Sequence, residues 1–255
     1  MSRFSPPLAL RPGSAGDAPT IRSAMVLAAG LGRRMRPLTA TRPKPLVEVA
    51  GKPLLDHVLD RLRAAGIARA VVNVHYLADA LEAHLTARVR GIEVAISDER
   101  PELLETGGGV VKALPLIGDD SFLLVNSDNL WIDGPIDAIR LLGDRWDEGS
   151  MDALLLMVPL ARANCHNGQG DFHMDPIGRL ARRRPGRVAP FVFTGVQIVS
   201  RRLFEDAPAG RFSINLLWDR AIAAGRLYGL VHQGLWFDVG TPPAIAAAEA
   251  MLAQG

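Results

Sequence analysis

Ser23-Ala-Met-Val-Leu-Ala-Ala29 runs without a charge into Gly30-Leu-Gly32, and this junction decides the fold. A short apolar run halted by glycine is the pattern of a buried strand entering a tight turn. The same pattern recurs downstream, with helices between. Leu54, Leu55, Val58, Leu59 and Leu62 repeat at the spacing of one helix face, which Gly66 stops. Ala70 to Val74 reads as a β-branched strand, Leu77 to Arg88 as an amphipathic helix and Ile92 to Ile96 as a strand. Gly107 to Gly109 read as a flexible turn before a helix that ends near Pro115. Phe122 to Val125 is a fully apolar strand, with polar Asn126-Ser-Asp-Asn129 at its carboxyl end. Strands alternating with helices of this length predict an α/β fold with a mostly parallel sheet and right-handed crossovers.

In such sheets ligands bind beyond the carboxyl ends of the strands. Both the Gly30 turn and Asp128 fall there. The second half is less regular. Asp152 to Pro159 and Phe191 to Val199 read as strands flanking a polar, arginine-rich insert, Ile214 to Ala224 as a helix, and Leu235 to Val239 as a last strand. Gly240-Thr-Pro-Pro243 then opens a helix, with Thr241 as N-cap and Pro242 in its first position.

Composition limits the function classes. The chain has 255 residues, 48% hydrophobic and 22% charged, which suits an ordinary globular core. A formal charge of only +2 argues against nucleic acid as the main partner. No apolar run approaches the roughly 20 residues that span a bilayer. Residues 1–20 carry four prolines and two glycines and lack a continuous apolar stretch, so they read as a disordered leader rather than a signal peptide. Residues 21–255 are then expected to be a single domain. One cysteine, Cys165, excludes an internal disulfide and suits the cytoplasm.

The densest chemistry lies in Leu27-Ala-Ala-Gly-Leu-Gly-Arg-Arg-Met-Arg-Pro-Leu-Thr39 with Arg42-Pro-Lys-Pro45. Gly30 and Gly32 leave backbone N–H groups unobstructed, as a phosphate-cradling nest requires. Arg33, Arg36 and Lys44 add positive charge suited to a triphosphate. The dinucleotide fingerprint fails, because Met35 stands where its third glycine would be, and no Gly-Lys-Ser/Thr loop is present.

The run from Leu27 to Pro45 resembles the signature of the sugar-1-phosphate nucleotidylyltransferases. Glu105-Thr-Gly-Gly-Gly109, Asn126-Ser-Asp128, Phe193-Thr-Gly195 and Trp236-Phe-Asp-Val-Gly-Thr241 resemble later landmarks of that family. Together they cover nearly everything from residue 23 to 253. Gly168-Gln-Gly-Asp-Phe172 resembles the compact N-acetylmuramate-1-phosphate uridylyltransferase subgroup. Ser127 departs from the pattern, since glycine is commoner there.

The resemblance implies a three-layer, Rossmann-like nucleotidyltransferase fold and a reaction between a nucleoside triphosphate and a sugar 1-phosphate. UTP and N-acetylmuramate 1-phosphate are the expected pair, and mannose-1-phosphate guanylyl transfer is the alternative. It assigns the nucleotide to Leu27, Ala28, Ala29, Gly30, Gly32, Arg33, Glu105, Gly107 and Gly108, and the sugar to Asn126, Gly170, Asp171, Thr194 and Gly195. Lys44, Arg33 and Asp128 are the implied catalytic residues, and Asp128 with Asp238 the implied Mg²⁺ ligands. Two strand-end carboxylates plus substrate phosphates suit that hard cation. Taken alone, Asp128 also reads as a turn cap, Asp238 as a solvated strand-end residue, and Glu105 as a helix cap. A monomer or small homo-oligomer is expected.

Other clusters carry less. Cys165, His166, Asp171 and His173 lack the usual zinc spacing. Arg179, Arg182, Arg183, Arg184 and Arg187 read as a solvated hairpin face rather than a nucleic-acid patch. A sugar-nucleotide sensor without activity has no need for Lys44, Asp128 and Asp238 together.

Overall fold

The computed structural model describes residues 21–254, so the leader expected over 1–20 lies outside the described residues. The first half runs β1 (Ser23–Leu27), a short hairpin of β2 (Glu48–Val49) and β3 (Lys52–Pro53), α1 (Leu54–Ala64), β4 (Arg69–Val74) and α2 (Ala78–Arg88). It continues through β5 (Glu93–Asp98), α3 (Glu105–Ile117), β6 (Ser121–Asn126), β7 (Leu130–Ile132) and α4 (Ala138–Arg145). The second half holds β8 (Ala153–Pro159), β9 (Ala163–Asn164), β10 (Phe172–Met174), β11 (Leu180–Arg182) and β12 (Phe191–Ser200). It closes with α5 (Asn215–Ala223), β13 (Leu227–Val231), β14 (Leu235–Phe237) and α6 (Pro242–Leu252).

Strands β5, β4, β1 and β6 lie side by side and parallel, with Ala24 opposite Ala70 and Leu123. β12 then pairs antiparallel with both β6 and β8, and β13 pairs parallel with β8. The sheet is therefore mixed, with its parallel part in the first half. A smaller sheet, β7-β14-β9, sets Trp236 opposite Trp131.

Side chains alternate across a strand with period two, which divides the core into two layers. Ala24, Val26, Val72 and Val125 face α1, α2 and α4, where Leu55, Leu59, Leu81 and Leu142 are buried. Met25, Val71, Phe122 and Leu124 face α3 and α5, meeting Val110, Ala113, Leu217 and Trp218. Full burial of one such aliphatic or aromatic side chain is worth about 1.5–3 kcal/mol. Each layer draws residues from both halves of the chain. The apolar face expected of α1 is the one buried, since Leu54, Leu55, Val58, Leu59 and Leu62 are all inaccessible.

Three sequence expectations are corrected. Gly107 to Gly109 are not a flexible turn but lie in the first turns of α3, and the helix continues through Pro115 to Ile117. A proline near the end of a helix removes only one i→i−4 bond, and Gly118 closes α3 by donating to the Leu114 carbonyl. Three of the five arginines in and after the β10–β11 hairpin are not simply solvated. Arg182 bonds Asp219 at 2.7 Å, Arg183 donates to the Gly170 carbonyl at 2.8 Å, and Arg179 reaches the Tyr228 hydroxyl at 3.3 Å. The arginine-rich segment thus holds its hairpin to the body of the sheet. The last strand also stops at Phe237, which leaves Asp238 just beyond it.

Candidate active site

β1 delivers its chain to the carboxyl edge of the sheet, and the Gly30–Gly32 turn opens a cavity of about 470 Å³. A Cβ on Gly30 would meet nothing within 4 Å, so its backbone faces open space inside the cavity. Gly32 is required for a different reason. Its φ is 60°, and a Cβ there would lie 2.9 Å from Thr39 Cγ2 and 3.1 Å from Lys44 Cβ. Buried Thr39 donates to the Gly32 carbonyl at 2.8 Å, and Met35 N–H donates to the same oxygen at 3.0 Å. The turn is thereby fixed, and the short 3₁₀ turn Arg33–Met35 follows it along the cavity wall.

Lys44 approaches from the Pro-Lys-Pro segment and forms an ion pair with Asp128, just beyond β6. Both line the cavity, with Ser127 between strand end and carboxylate. Ser127 N–H donates to the Leu27 carbonyl at 3.1 Å, locking the β6 exit to the β1 exit. Cations and a carboxylate therefore meet where backbone N–H groups are exposed, an arrangement suited to phosphate.

Asp238 does not line this cavity. Its Oδ2 is 2.9 Å from His166 Nδ1, and its Oδ1 accepts from Gly240 N–H at 3.2 Å. A Cβ on Gly240 would stand 3.1 Å from Asp238 Oδ1 and 3.6 Å from Arg34 Nη2. Arg34 lines the cavity, so Asp238 lies close to its wall. Burial, and then the Asp238 charge, push the Cys165 thiol up, away from the thiolate that zinc needs. Among the described residues no group of three or more His, Cys, Asp or Glu side chains could hold a metal.

The opposite wall is built on the start of α3. Gly107 and Gly108 N–H groups both donate to the Phe212 carbonyl, at 2.9 and 3.2 Å, and Phe212 N–H donates to the Leu104 carbonyl at 3.2 Å. A Cβ on Gly107 would collide with the Phe212 ring, and one on Gly108 with the Gly210 carbonyl. These glycines seat the 210–213 loop, whose Arg211 reaches the cavity beside Leu103. Glu105 binds Arg211 through Oε1, at 2.6 Å to Nη2 and 3.1 Å to Nε. Its φ of 60° puts a non-glycine residue in the left-handed region, at a cost of about 1–3 kcal/mol.

A buried polar chain joins the two walls. Ala28 N–H donates to Asn73 Oδ1 at 2.6 Å, Asn73 Nδ2 to Glu99 Oε1 at 2.6 Å, and Leu104 N–H to Glu99 Oε2 at 3.1 Å. Glu99 is fully buried, and a Cβ on Gly109 would come within 2.7 Å of its carboxylate.

Of the expected sugar residues, Asn126 ends β6 beside Thr194 and Gly195, midway along β12, while Gly170 and Asp171 precede β10 and reach β12 at Phe191 and Phe193. A Cβ on Gly195 would lie 2.8 Å from Asn126 Nδ2 and 2.7 Å from Asn129 Nδ2. Asn129 Nδ2 is buried with no hydrogen-bond partner among the described residues. Thr194 donates to the Leu156 carbonyl at 2.8 Å, and its own carbonyl accepts from Trp236 Nε1 at 3.1 Å. Asp171 Oδ2 accepts from Phe193 N–H at 2.9 Å, and the Gly170 carbonyl takes the Arg183 bond. None of these five residues, nor Ala29, Glu105, Gly107 or Gly108, lines the main cavity. Leu27, Ala28, Gly30, Gly32, Arg33, Lys44 and Asp128 do.

Residues 23–163 match the family model described as nucleotidyl transferase. The chain belongs to that family. It is 47% identical to an N-acetylmuramate alpha-1-phosphate uridylyltransferase of Caulobacter vibrioides, over 91% of this chain and 97% of that protein. A protein of the same name from Neisseria meningitidis serogroup B is 36% identical over 89% of this chain and 97% of its own length. Mannose-1-phosphate guanylyltransferases are more distant relatives. The crystal structure of HddC from Yersinia pseudotuberculosis complexed with GMP-PN superimposes with a TM-score of 0.73 at 22% identity, covering 91% of this chain and 100% of that one. That likeness bears out the three-layer nucleotidyltransferase fold.

Arg211, which lines this transferase's cavity, and Asn73, Glu99 and His166, which bond to groups around it, escaped sequence reasoning. Asn73 had a signal, as the one polar residue among buried Ala70, Val71, Val72 and Val74. Glu99 and Arg211 had none, because each sits in an irregular segment where neither period nor motif applies. His166 was noticed only as a poor zinc ligand.

Proposed function

We propose that residues 21–255 act as one nucleotidyltransferase unit that transfers UMP from UTP to N-acetylmuramate 1-phosphate and releases pyrophosphate. The observation that carries this reading is the cavity in which Gly30, Gly32, Arg33 and the Lys44–Asp128 pair converge. Near-full-length similarity to two uridylyltransferases of that name supports the substrate pair.

The exposed backbone of Gly30 and Gly32 would cradle the triphosphate, with Arg33 on its outer phosphates. Lys44 would sit against the α-phosphate or the sugar phosphate, where negative charge concentrates as the new bond forms. No protein nucleophile is needed, since the sugar phosphate is itself an anion. Asn126, Thr194, Gly195, Gly170 and Asp171 would border the sugar, and the unpartnered Asn129 amide is a donor in that same corner.

Asp128 and Asp238 are hard oxygen donors of the type Mg²⁺ takes alongside substrate phosphates, and each keeps lone pairs beyond its present bonds. When bound, the ion would supply charge neutralisation on phosphate oxygens. Lys44 holds Asp128 in place from the cavity side, and His166 does so for Asp238. A cytoplasmic location accords with a nucleoside triphosphate substrate and with the free thiol of Cys165. Among the described residues no helix is long and apolar enough to cross a membrane. A monomer or small homo-oligomer remains the proposed assembly.

The test is a pyrophosphate-release assay that crosses four nucleoside triphosphates with a panel of sugar 1-phosphates. UTP with N-acetylmuramate 1-phosphate should turn over fastest, ahead of UTP with N-acetylglucosamine 1-phosphate. Faster turnover of GTP with mannose 1-phosphate would overturn the substrate pair.

A further inference from the structure

Arg211 is a cation of the cavity that none of the sequence motifs supplies. We infer that Arg211 reads the base of the nucleotide, donating from its guanidinium to a pyrimidine carbonyl oxygen. The inference rests on the nucleotidyl-transfer reading and adds a specificity residue to it.

Position is the first argument. The residues proposed to hold phosphate lie together: Gly30, Gly32 and Arg33 belong to one turn, and a Cβ on Gly32 would stand 3.1 Å from Lys44 Cβ. Leu27, Ala28 and Leu103 are apolar lining residues, and Arg211 precedes Phe212, whose N–H bonds the Leu104 carbonyl. The Ala28–Asn73–Glu99–Leu104 chain of hydrogen bonds ties the exit of β1 to the start of α3, where Arg211 is anchored. A triphosphate laid along the glycine turn would therefore direct its nucleoside to this apolar stretch. A planar base there needs apolar contact on its faces and a few placed polar groups at its edge.

Rigidity is the second. A long arginine on a loose loop would read nothing, but this loop is clamped. Phe212 exchanges backbone bonds with Leu104, Gly107 and Gly108, and Ile214 N–H donates to Thr106 Oγ1 at 2.9 Å. Glu105 occupies Nε and Nη2 of the guanidinium. The Nη1 edge has no protein partner among the described residues, which leaves it for a ligand. Glu105 keeps this geometry at the expense of a left-handed backbone.

Donor chemistry is the third. Arginine donates and never accepts. Uracil offers two carbonyl oxygens, cytosine and guanine one each, and adenine none. Among pyrimidines a guanidinium edge in this place favours uracil, and it disfavours adenine, whose only acceptors are ring nitrogens. A contact to phosphate would instead treat all four triphosphates alike.

The experiment measures binding of UTP, CTP and ATP by calorimetry, and turnover with each, for the full chain and for Arg211→Ala, Arg211→Lys and Glu105→Gly. Arg211→Ala should weaken UTP about ten- to hundredfold, the span expected for a lost charge-assisted hydrogen bond. ATP binding and the KM for the sugar 1-phosphate should stay as they were, so the uridine preference collapses. Arg211→Lys should recover only a small part, because an ammonium lacks the fork. Glu105→Gly should melt no lower than the parent and still lose UTP affinity, which separates misplacement of Arg211 from unfolding. Equal weakening of UTP, CTP and ATP, or full recovery with lysine, would overturn base reading in favour of a phosphate contact. Unchanged UTP binding in Arg211→Ala would overturn it outright. If the unaltered chain binds no nucleoside triphosphate, the transfer reading itself fails and this role fails with it.

Discussion

Lys44 and Asp128, 84 residues apart in sequence, meet as an ion pair across the mouth of the cavity. The lysine is mostly buried and the aspartate about one-third exposed, so the pair sits at the boundary between protein and substrate space. Its ammonium can turn toward phosphate without leaving the carboxylate. Lys44→Ala should therefore lower kcat by more than it raises the KM for UTP, because charge stabilisation grows toward the transition state. Steady-state kinetics decide this; an unchanged kcat with a raised KM would leave Lys44 as a binding group only.

Asp128→Asn and Asp238→Asn should each cut turnover by at least ~100-fold while the fold persists. EDTA should silence the parent protein, and Mg²⁺ should restore it. Retention of more than a tenth of the activity in both variants would remove the two carboxylates from metal binding.

The Ala28–Asn73–Glu99 chain predicts an effect at a distance. Asn73→Ala removes the acceptor of Ala28 N–H and the donor to Glu99, leaving a buried backbone group and a buried carboxylate short of a partner. Loss of about 1–3 kcal/mol of stability is expected. The KM for UTP should rise with little change in that for the sugar 1-phosphate, since Ala28 belongs to the nucleotide wall. Equal rises in both would assign Asn73 a structural role alone.

Gly107→Ala tests packing. The added methyl would overlap the Phe212 ring, which cannot retreat while its backbone is bonded to Leu104 and to Gly107 itself. Overpacking of this kind costs about 1–3 kcal/mol. A melting temperature within a degree of the parent's would show that the loop gives way freely.

His232 supplies a pH dependence. It is buried, and Nε2 lies 3.1 Å from the Ile132 carbonyl and 3.2 Å from that of Leu235, so the ring donates as the neutral Nε2–H form. Burial holds its pKa below the ordinary 6.5. The unfolded chain therefore takes up this proton first as pH falls, and stability declines below about pH 6.5. Its contribution is complete above that value and gone once pH passes the folded-state pKa. Melting temperatures between about pH 7.5 and 5.5 should fall, and less steeply in His232→Gln.

Much of this protein was legible as pattern. The apolar runs at Ser23 and Phe122 and the helical repeat from Leu54 to Leu62 all took the predicted form, because burial imposes a period that composition records. The signature loop was legible too, since Gly32 must satisfy both a positive φ and a close approach to Lys44. The glycine triplet misled for an instructive reason. Intrinsic propensity says that Gly107 to Gly109 should break a helix, by about 1 kcal/mol each relative to alanine. Tertiary packing overrides it, because only hydrogen atoms fit against Phe212, Gly210 and Glu99. Nothing local to residues 107–109 could announce those neighbours. The contacts of Asp238 with His166 and Gly240 were not legible, because they are set by the small β7-β14-β9 sheet that no local pattern announces.

Gln197, Ile198 and Val199 of β12 are hydrogen-bonded on one side to β6 and on the other to β8. The strand works as a rivet through both halves of the molecule. A clamshell motion about this line would have to tear ladder bonds on two flanks at once, so catalytic closure by domain rotation is not open to this enzyme. Adjustment to a ligand falls instead to the side chains at the cavity rim, Arg33 and Arg34 on one segment and Arg211 on another, whose backbones are held by the Gly32–Thr39 and Phe212–Leu104 bonds. Hydrogen exchange should therefore show the central amides of β12 exchanging only when the whole chain unfolds, with or without nucleotide.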